Sequence, residues 1–154
     1  MYSFDASSMI HAWDNYPPAN PHFVSLWEWV ANNINDHQFS ISKKAFEEVN
    51  HKIPECGEWL KNNHIEIIPL TPSGLLMAQE IKTYLGIVEE QYTKGVGEND
   101  LFIIAMAKIT NTILVSEESR QIKLPTLKSN YKIPAVCNMQ EVQVNCINFL
   151  ELLK

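Results

Sequence analysis

Two rhythms of apolar residues alternate along this chain. Short β-branched or aromatic runs are separated by longer stretches whose apolar positions lie three and four residues apart. The first pattern marks strands and the second marks amphipathic helices. Tyr2 to Phe4 reads as a short buried strand ending at Asp5, with a short helix after it for which Ser7 and Ser8 offer caps. Tyr16-Pro17-Pro18-Ala19-Asn20-Pro21 is a turn. His22 to Asn35 carries Phe23, Leu26, Trp27, Val30 and Ile34 at helical spacing. Phe39 to Ile41 is a brief strand, and Ser42 caps a helix running to about His51, with Pro54 as its breaker. A short helix holding Trp59 and Leu60 follows.

Ile65 to Pro69 is a β-branched core strand. Thr71-Pro72 opens a helix through Leu85, with Thr as cap and Pro in the favoured first position. Val88 to Tyr92 extends the helical reading, and Gly95-Val96-Gly97 is a loop. Leu101 to Ile109 is apolar nearly all round, as expected of a helix pressed between layers. Thr112 to Ser116 and Val144 to Ile147 are the last strands, and a helix closes the chain through Leu152. Strands alternating with helices predict an α/β fold, a mainly parallel sheet covered on both faces. One domain, residues 1–154, is expected at this length. In such sheets ligands bind beyond the carboxyl ends of the strands, where strand order switches.

Four acidic positions fall where strands end or helices lie: Asp5, Glu48, Asp100 and Glu118. Asp5 follows Phe4 directly, and a cap at Ser7 would free it for another task. At about 100° per residue, Glu48 lies nearer than Glu47 to the apolar stripe of Ala45, Phe46, Val49 and Ile53. Glu48 can face a cleft or join a solvated pair. Lys52, one turn on, suits either an ion pair with Glu48 or a phosphate contact. Asp100 stands at the mouth of the apolar helix, where the dipole keeps a carboxylate ionised. Asn99 is available as that helix's cap, and Glu98 reads as loop. Glu117 and Glu118 follow Leu114-Val115-Ser116, and either could turn inward. Ser116 could hold a neighbouring carboxylate in place. Carboxylates gathered in one cleft raise each other's pKa unless a cation neutralises them. Oxygen donors of this kind suit Mg²⁺ or Mn²⁺.

Composition changes this picture little. The chain is 45 % hydrophobic and 19 % charged, ordinary for a globular protein. Its formal net charge of −6 disfavours nucleic-acid binding unless several acids are spent on metal. Lys43, Lys44, Lys52, Lys94 and Arg120 are the available phosphate contacts. Cys56, Cys137 and Cys146 form no Cys-x-x-Cys pair and read as reduced, buried thiols. No His-x-x-x-His spacing suggests zinc. The longest apolar run, Leu101 to Ala107, is too short to span a bilayer, and a soluble cytoplasmic protein is expected. Trp13, Trp27, Trp29 and Trp59 could stack on bases or serve in packing. A phosphotransfer domain of haloacid-dehalogenase pattern would need a second Asp two residues after Asp5, and Ser7 stands there.

Taken together these segments resemble a PIN-domain nuclease, of the kind that includes VapC-like toxin ribonucleases. Phe4-Asp5-Ala6-Ser7 is similar to the family's first acidic motif, and Glu48-Val49 to its second. Asp100-Leu-Phe-Ile-Ile-Ala-Met-Ala is similar to the third, with one residue inserted. Val115-Ser116-Glu117-Glu118 departs from the fourth, with Ser for Thr and Glu for Asp. Lys132 to Cys137 and Cys146 to Leu153 look like an uncharacterised PIN-like subfamily. The resemblance implies an α/β/α sandwich and metal-dependent cleavage of RNA. Asp5, Glu48, Asp100 and Glu118 would be catalytic, with Asp5, Asp100 and Glu118 on Mg²⁺ or Mn²⁺ and Ser7, Ser116 and Lys52 in support. It also implies a DNA-binding antitoxin partner and a homodimer. The alternative is a non-catalytic, partner-binding module of the same fold with an incomplete acidic site.

Overall fold

The computed structural model describes residues 1–154. Five strands form one parallel sheet: β1 (Tyr2–Phe4), β2 (Phe39–Ser42), β3 (Glu66–Ile68), β4 (Ile113–Val115) and β5 (Cys146–Ile147). Their spatial order is β3-β2-β1-β4-β5. The chain therefore starts at the centre, winds outward through β2 and β3, then returns to lay β4 against the other side of β1. Parallel neighbours need crossovers, which the helices supply. These are α1 (Ala6–Asn15), α2 (Val24–Asn35), α3 (Lys43–Lys52), α4 (Pro54–Asn62), α5 (Pro72–Tyr84), α6 (Glu98–Thr110), α7 (Ile133–Cys137) and α8 (Phe149–Leu152). They lie on both faces of the sheet, which is the expected α/β/α sandwich.

Central strands are buried and edge strands less so, as their sequences require. Phe4, Phe39, Ile41, Leu114 and Val115 are sealed from solvent, whereas Glu66 on edge strand β3 is exposed. α6 runs through the core, with Ile103, Ile104, Ala105, Met106 and Ala107 all buried, which explains its lack of a polar face. Trp13, Trp27 and Trp59 pack edge to face with centroids 5.0–6.4 Å apart. The Trp27 indole N–H donates to the Tyr16 carbonyl at 2.5 Å, so these rings belong to the packing. Trp29 lies edge-on to Phe39.

The Ser42 and Thr71 caps form as expected, each hydroxyl accepting the amide three residues on. Three expectations need correction. Val88 to Tyr92 is not helical: α5 stops at Tyr84, and Gly86 and Glu89 take positive φ, which a helix cannot continue through. α6 begins at Glu98, so Glu98 is helical rather than loop. The short helix α7 carries no periodic signal and was not expected.

The opposite edge of the sheet has its own regularity. His37, His64, Asn111 and Gln143 all adopt left-handed backbone, at φ between 50° and 60°. Each lies just before a strand: β2, β3, β4 and β5 respectively. After α2, α4 and α6 the left-handed residue turns the helix exit toward the sheet, and Gln143 does the same for the turn before β5.

Candidate active site

Strand order switches between β1 and β4, and the carboxyl ends of these two strands carry Asp5 and the Ser116-Glu117-Glu118 turn. Asp5 continues the ladder, its amide donating to the Val115 carbonyl at 3.0 Å. Its side chain is 1 % exposed. One carboxylate oxygen accepts the Ser8 amide at 2.7 Å and the other accepts the Ser7 hydroxyl at 2.7 Å. Asp5 is therefore itself the cap of α1, and Ser7 is not. Capping and a place in the cleft are the work of one side chain.

Ser7 ties the two strand ends together. Besides donating to Asp5, its hydroxyl accepts the Glu117 amide at 3.0 Å and lies 3.4 Å from the Ser116 hydroxyl. The Ser116 oxygen accepts the Glu118 amide at 3.2 Å and reaches Asp5 as well. Ser8 clamps β4 by donating to the Val115 carbonyl at 2.7 Å.

Neighbouring Glu117 and Glu118 face different helices. Glu117 accepts the Phe149 amide at the start of α8, at 2.6 Å, and lies 4.0 Å from His11. Glu118 accepts the Ile133 amide at the start of α7, at 3.0 Å. Glu118 lies within reach of the charges of Asp5 and Asp100, on the cleft side of the turn. A cavity of about 260 Å³ opens beside this turn, lined among others by Ser116, Glu118, Arg120 and Asn148.

Asp100 is the third residue of α6, and its carboxylate accepts the Gly97 amide at 2.9 Å. Gly97 is the cap residue, not Asn99. Glu48 stands on the inner side of α3 as its spacing predicts, half-buried where Glu47 is exposed. It pairs with Lys52 at 2.9 Å and its charge acts on Asp100.

Three of these carboxyls are pushed above the ordinary carboxylate range. For Asp5 the cause is burial, opposed by its hydroxyl and amide donors. For Asp100 it is burial, then the Glu48 charge, with the Gly97 amide opposing. For Glu118 it is burial, then Asp100 and Asp5, with the Ile133 amide and Lys132 opposing. Four segments far apart in sequence thus bring like charges into mutual reach. They remain spread out: no three His, Cys, Asp or Glu side chains are grouped closely enough to hold an ion among them. Of the cations named from sequence, Arg120 pairs with Glu151 and Lys44 lies over the Phe102 ring. Lys43 and Lys94 are exposed. No helix is long and apolar enough to cross a membrane.

The fold is PIN-like and has solved counterparts. A chain in the crystal structure of VapBC2 from Rickettsia felis bound to a DNA fragment from its promoter superposes with a TM-score of 0.55. It is 18 % identical, over 96 % of this chain and 98 % of that one. A chain of FitAcB from Neisseria gonorrhoeae gives a TM-score of 0.56 at 16 % identity, over 96 % of this chain and 97 % of that one. Likeness at these identities is likeness of fold. No curated protein sequence matches the chain. The model of the family described as Domain of unknown function (DUF4411) matches residues 2–154, and the chain belongs to that family.

Proposed function

We propose that this protein is a Mg²⁺- or Mn²⁺-dependent endoribonuclease, acting as the toxin of a toxin–antitoxin pair. The observation that supports the reading is that Asp5 and Glu118 lie at the switch in strand order with Asp100 and Glu48 within electrostatic reach, three of the four with raised pKa. The donor set fits a hard cation, being all oxygen. Its spacing suits an ion that keeps several waters and takes only one or two carboxylates directly. Asp5, Asp100 and Glu118 would hold it, one or two of them directly and the rest through water, with Glu48 at the rim. A divalent ion held there would lower the pKa of a bound water and would neutralise charge on a phosphate.

The chain's own groups do the positioning. Ser7 and Ser116 aim Asp5, and the Ile133 amide aims Glu118. Lys52 is the substrate-phosphate contact, already drawn to the cleft by Glu48. A DNA-binding antitoxin is the partner in this reading, supported by the promoter-bound VapBC2 complex among the fold's neighbours. A homodimer belongs to the same reading. The test is cleavage of RNA with Mg²⁺ or Mn²⁺ by the wild type and by Asp5→Asn, which keeps a cap acceptor for Ser8. Equal activity in the two removes the assignment.

A second reading, a non-catalytic partner-binding module, is favoured by one observation. Both Asp5 oxygens already accept hydrogen bonds and no compact ligand group exists. Titration calorimetry separates the two: heat of Mn²⁺ binding at millimolar metal supports the nuclease, and none supports the module.

A further inference from the structure

Cys137 and Cys146 lie nine residues apart and form no recognisable motif, yet the fold brings the elements that carry them into contact. Cys137 is the last residue of α7 and Cys146 the first of β5. The left-handed residue Gln143 turns the chain between them, and the Val144 amide donates to the Cys137 carbonyl at 3.0 Å. Val144, Asn145 and Cys146 line one cavity, of about 320 Å³, together with Pro134 and Ala135 of α7. α7 packs against β5, and the Cys146 side chain acts on the Cys137 thiol.

Their surroundings differ. Cys137 is 1 % exposed, while Cys146 is half-buried and opens on both the 320 Å³ cavity and the 260 Å³ cavity beside Glu118. The Cys137 thiol is held well above its ordinary value by the neighbouring Cys146, by burial, and by the charges of Asp5 and Glu118. It stays protonated and shielded. Cys56, the third cysteine, is buried apart from both, and burial with the Asp14 charge pushes it up to about 12.

We propose that Cys137 and Cys146 are an oxidation-sensitive thiol pair that a hydroperoxide closes to an intramolecular disulfide. The Cys146 sulfur, reached through its cavity, attacks the peroxide oxygen. The O–O bond breaks, one water or alcohol leaves, and Cys146 becomes a sulfenic acid. The Cys137 sulfur then attacks the Cys146 sulfur. Its proton departs with the hydroxyl as water, and the S–S bond forms. Overall two thiols lose two hydrogens and the peroxide is reduced. The closed bond pins α7 to β5. Because the first amide of α7 is the one that grips Glu118, the bond lies one short helix away from the acidic cleft. None of this depends on the cleft being a nuclease.

The test uses the full chain, reduced, freed of reductant, and treated with hydrogen peroxide at a low multiple of protein. Intact mass is expected to fall by two hydrogens. Non-reducing digestion is expected to give a Cys137–Cys146 linked peptide that dithiothreitol removes, with Cys56 still alkylatable. Cys146→Ser should show no two-hydrogen loss, and Cys137→Ser should stop at the sulfenic acid, trapped by dimedone. Oxygen addition to wild-type Cys146 without the linked peptide overturns the proposal. So does a crosslink only between chains. The wild-type digest decides the matter even if a variant fails to fold.

Discussion

The floor and the rim of the acidic cleft are built differently. On the floor, Asp5, Ser7, Ser116 and Glu118 are locked by hydrogen bonds between the ends of β1 and β4. On the rim, Glu48 and Lys52 hold each other across one helical turn, and Lys52 is more than half exposed. Buried, fully satisfied networks fix geometry because an unmet partner in low dielectric is expensive. Exposed pairs fix little. In the nuclease reading the floor would therefore set where a ligand sits, and the rim would only tune its approach.

Removing the support beneath the floor gives the largest effect. Phe4→Ala, fully buried next to Asp5, should lower unfolding free energy by about 3–5 kcal/mol in urea titrations. A loss under 1 kcal/mol would mean Phe4 is not the core support that its burial indicates. Next comes Ser116→Ala, which strips a hydroxyl from both Asp5 and Glu118. In the nuclease reading it should cut Mn²⁺-dependent RNA cleavage by about 10–100-fold, the usual effect of losing a group that orients a ligand. Cleavage unchanged by this substitution would make floor and rim equivalent.

The raised carboxyls give a smaller, signed effect. Asp100 binds its proton more tightly folded than unfolded, where about 3.9 is usual. The stability that protonation contributes is complete below that value and is lost as pH rises through the folded pKa. In chelator, Asp100→Asn should thus melt above wild type near pH 7, with the difference shrinking toward about pH 4. An unchanged gap across that range contradicts the assignment of burial as the cause. Smallest is the rim itself: Lys52→Ala should cost only about 0.2–0.5 kcal/mol, as exposed helix pairs do.

The framework was readable in the sequence because its strands are compact apolar runs and its helices carry periodic stripes or marked caps such as Ser42 and Thr71. Errors came where polarity hides structure. Glu98, Asn99 and Asp100 are helical, but the apolar signal of α6 starts only at Leu101. Ile87, Val88 and Tyr92 mimic one helical turn, and only the left-handed backbone at Gly86 and Glu89 reveals a loop. The order of the acids could be read along the chain. Their partners could not, because sequence suggests one task per residue, and Asp5 has two. Nor does spacing show that Ile133, across an irregular stretch, would hold Glu118, or that Cys137 would meet Cys146. Those pairings are products of tertiary packing alone.

The four left-handed residues that precede β2 to β5 have a practical consequence. Histidine and glutamine hold that backbone at a penalty of roughly 1 kcal/mol that glycine avoids. His37→Gly, His64→Gly and Gln143→Gly thus offer a reserve of robustness on the side of the sheet remote from the acids. Natural drift or an engineer could draw on it to offset harmful changes at the cleft without touching the cleft itself.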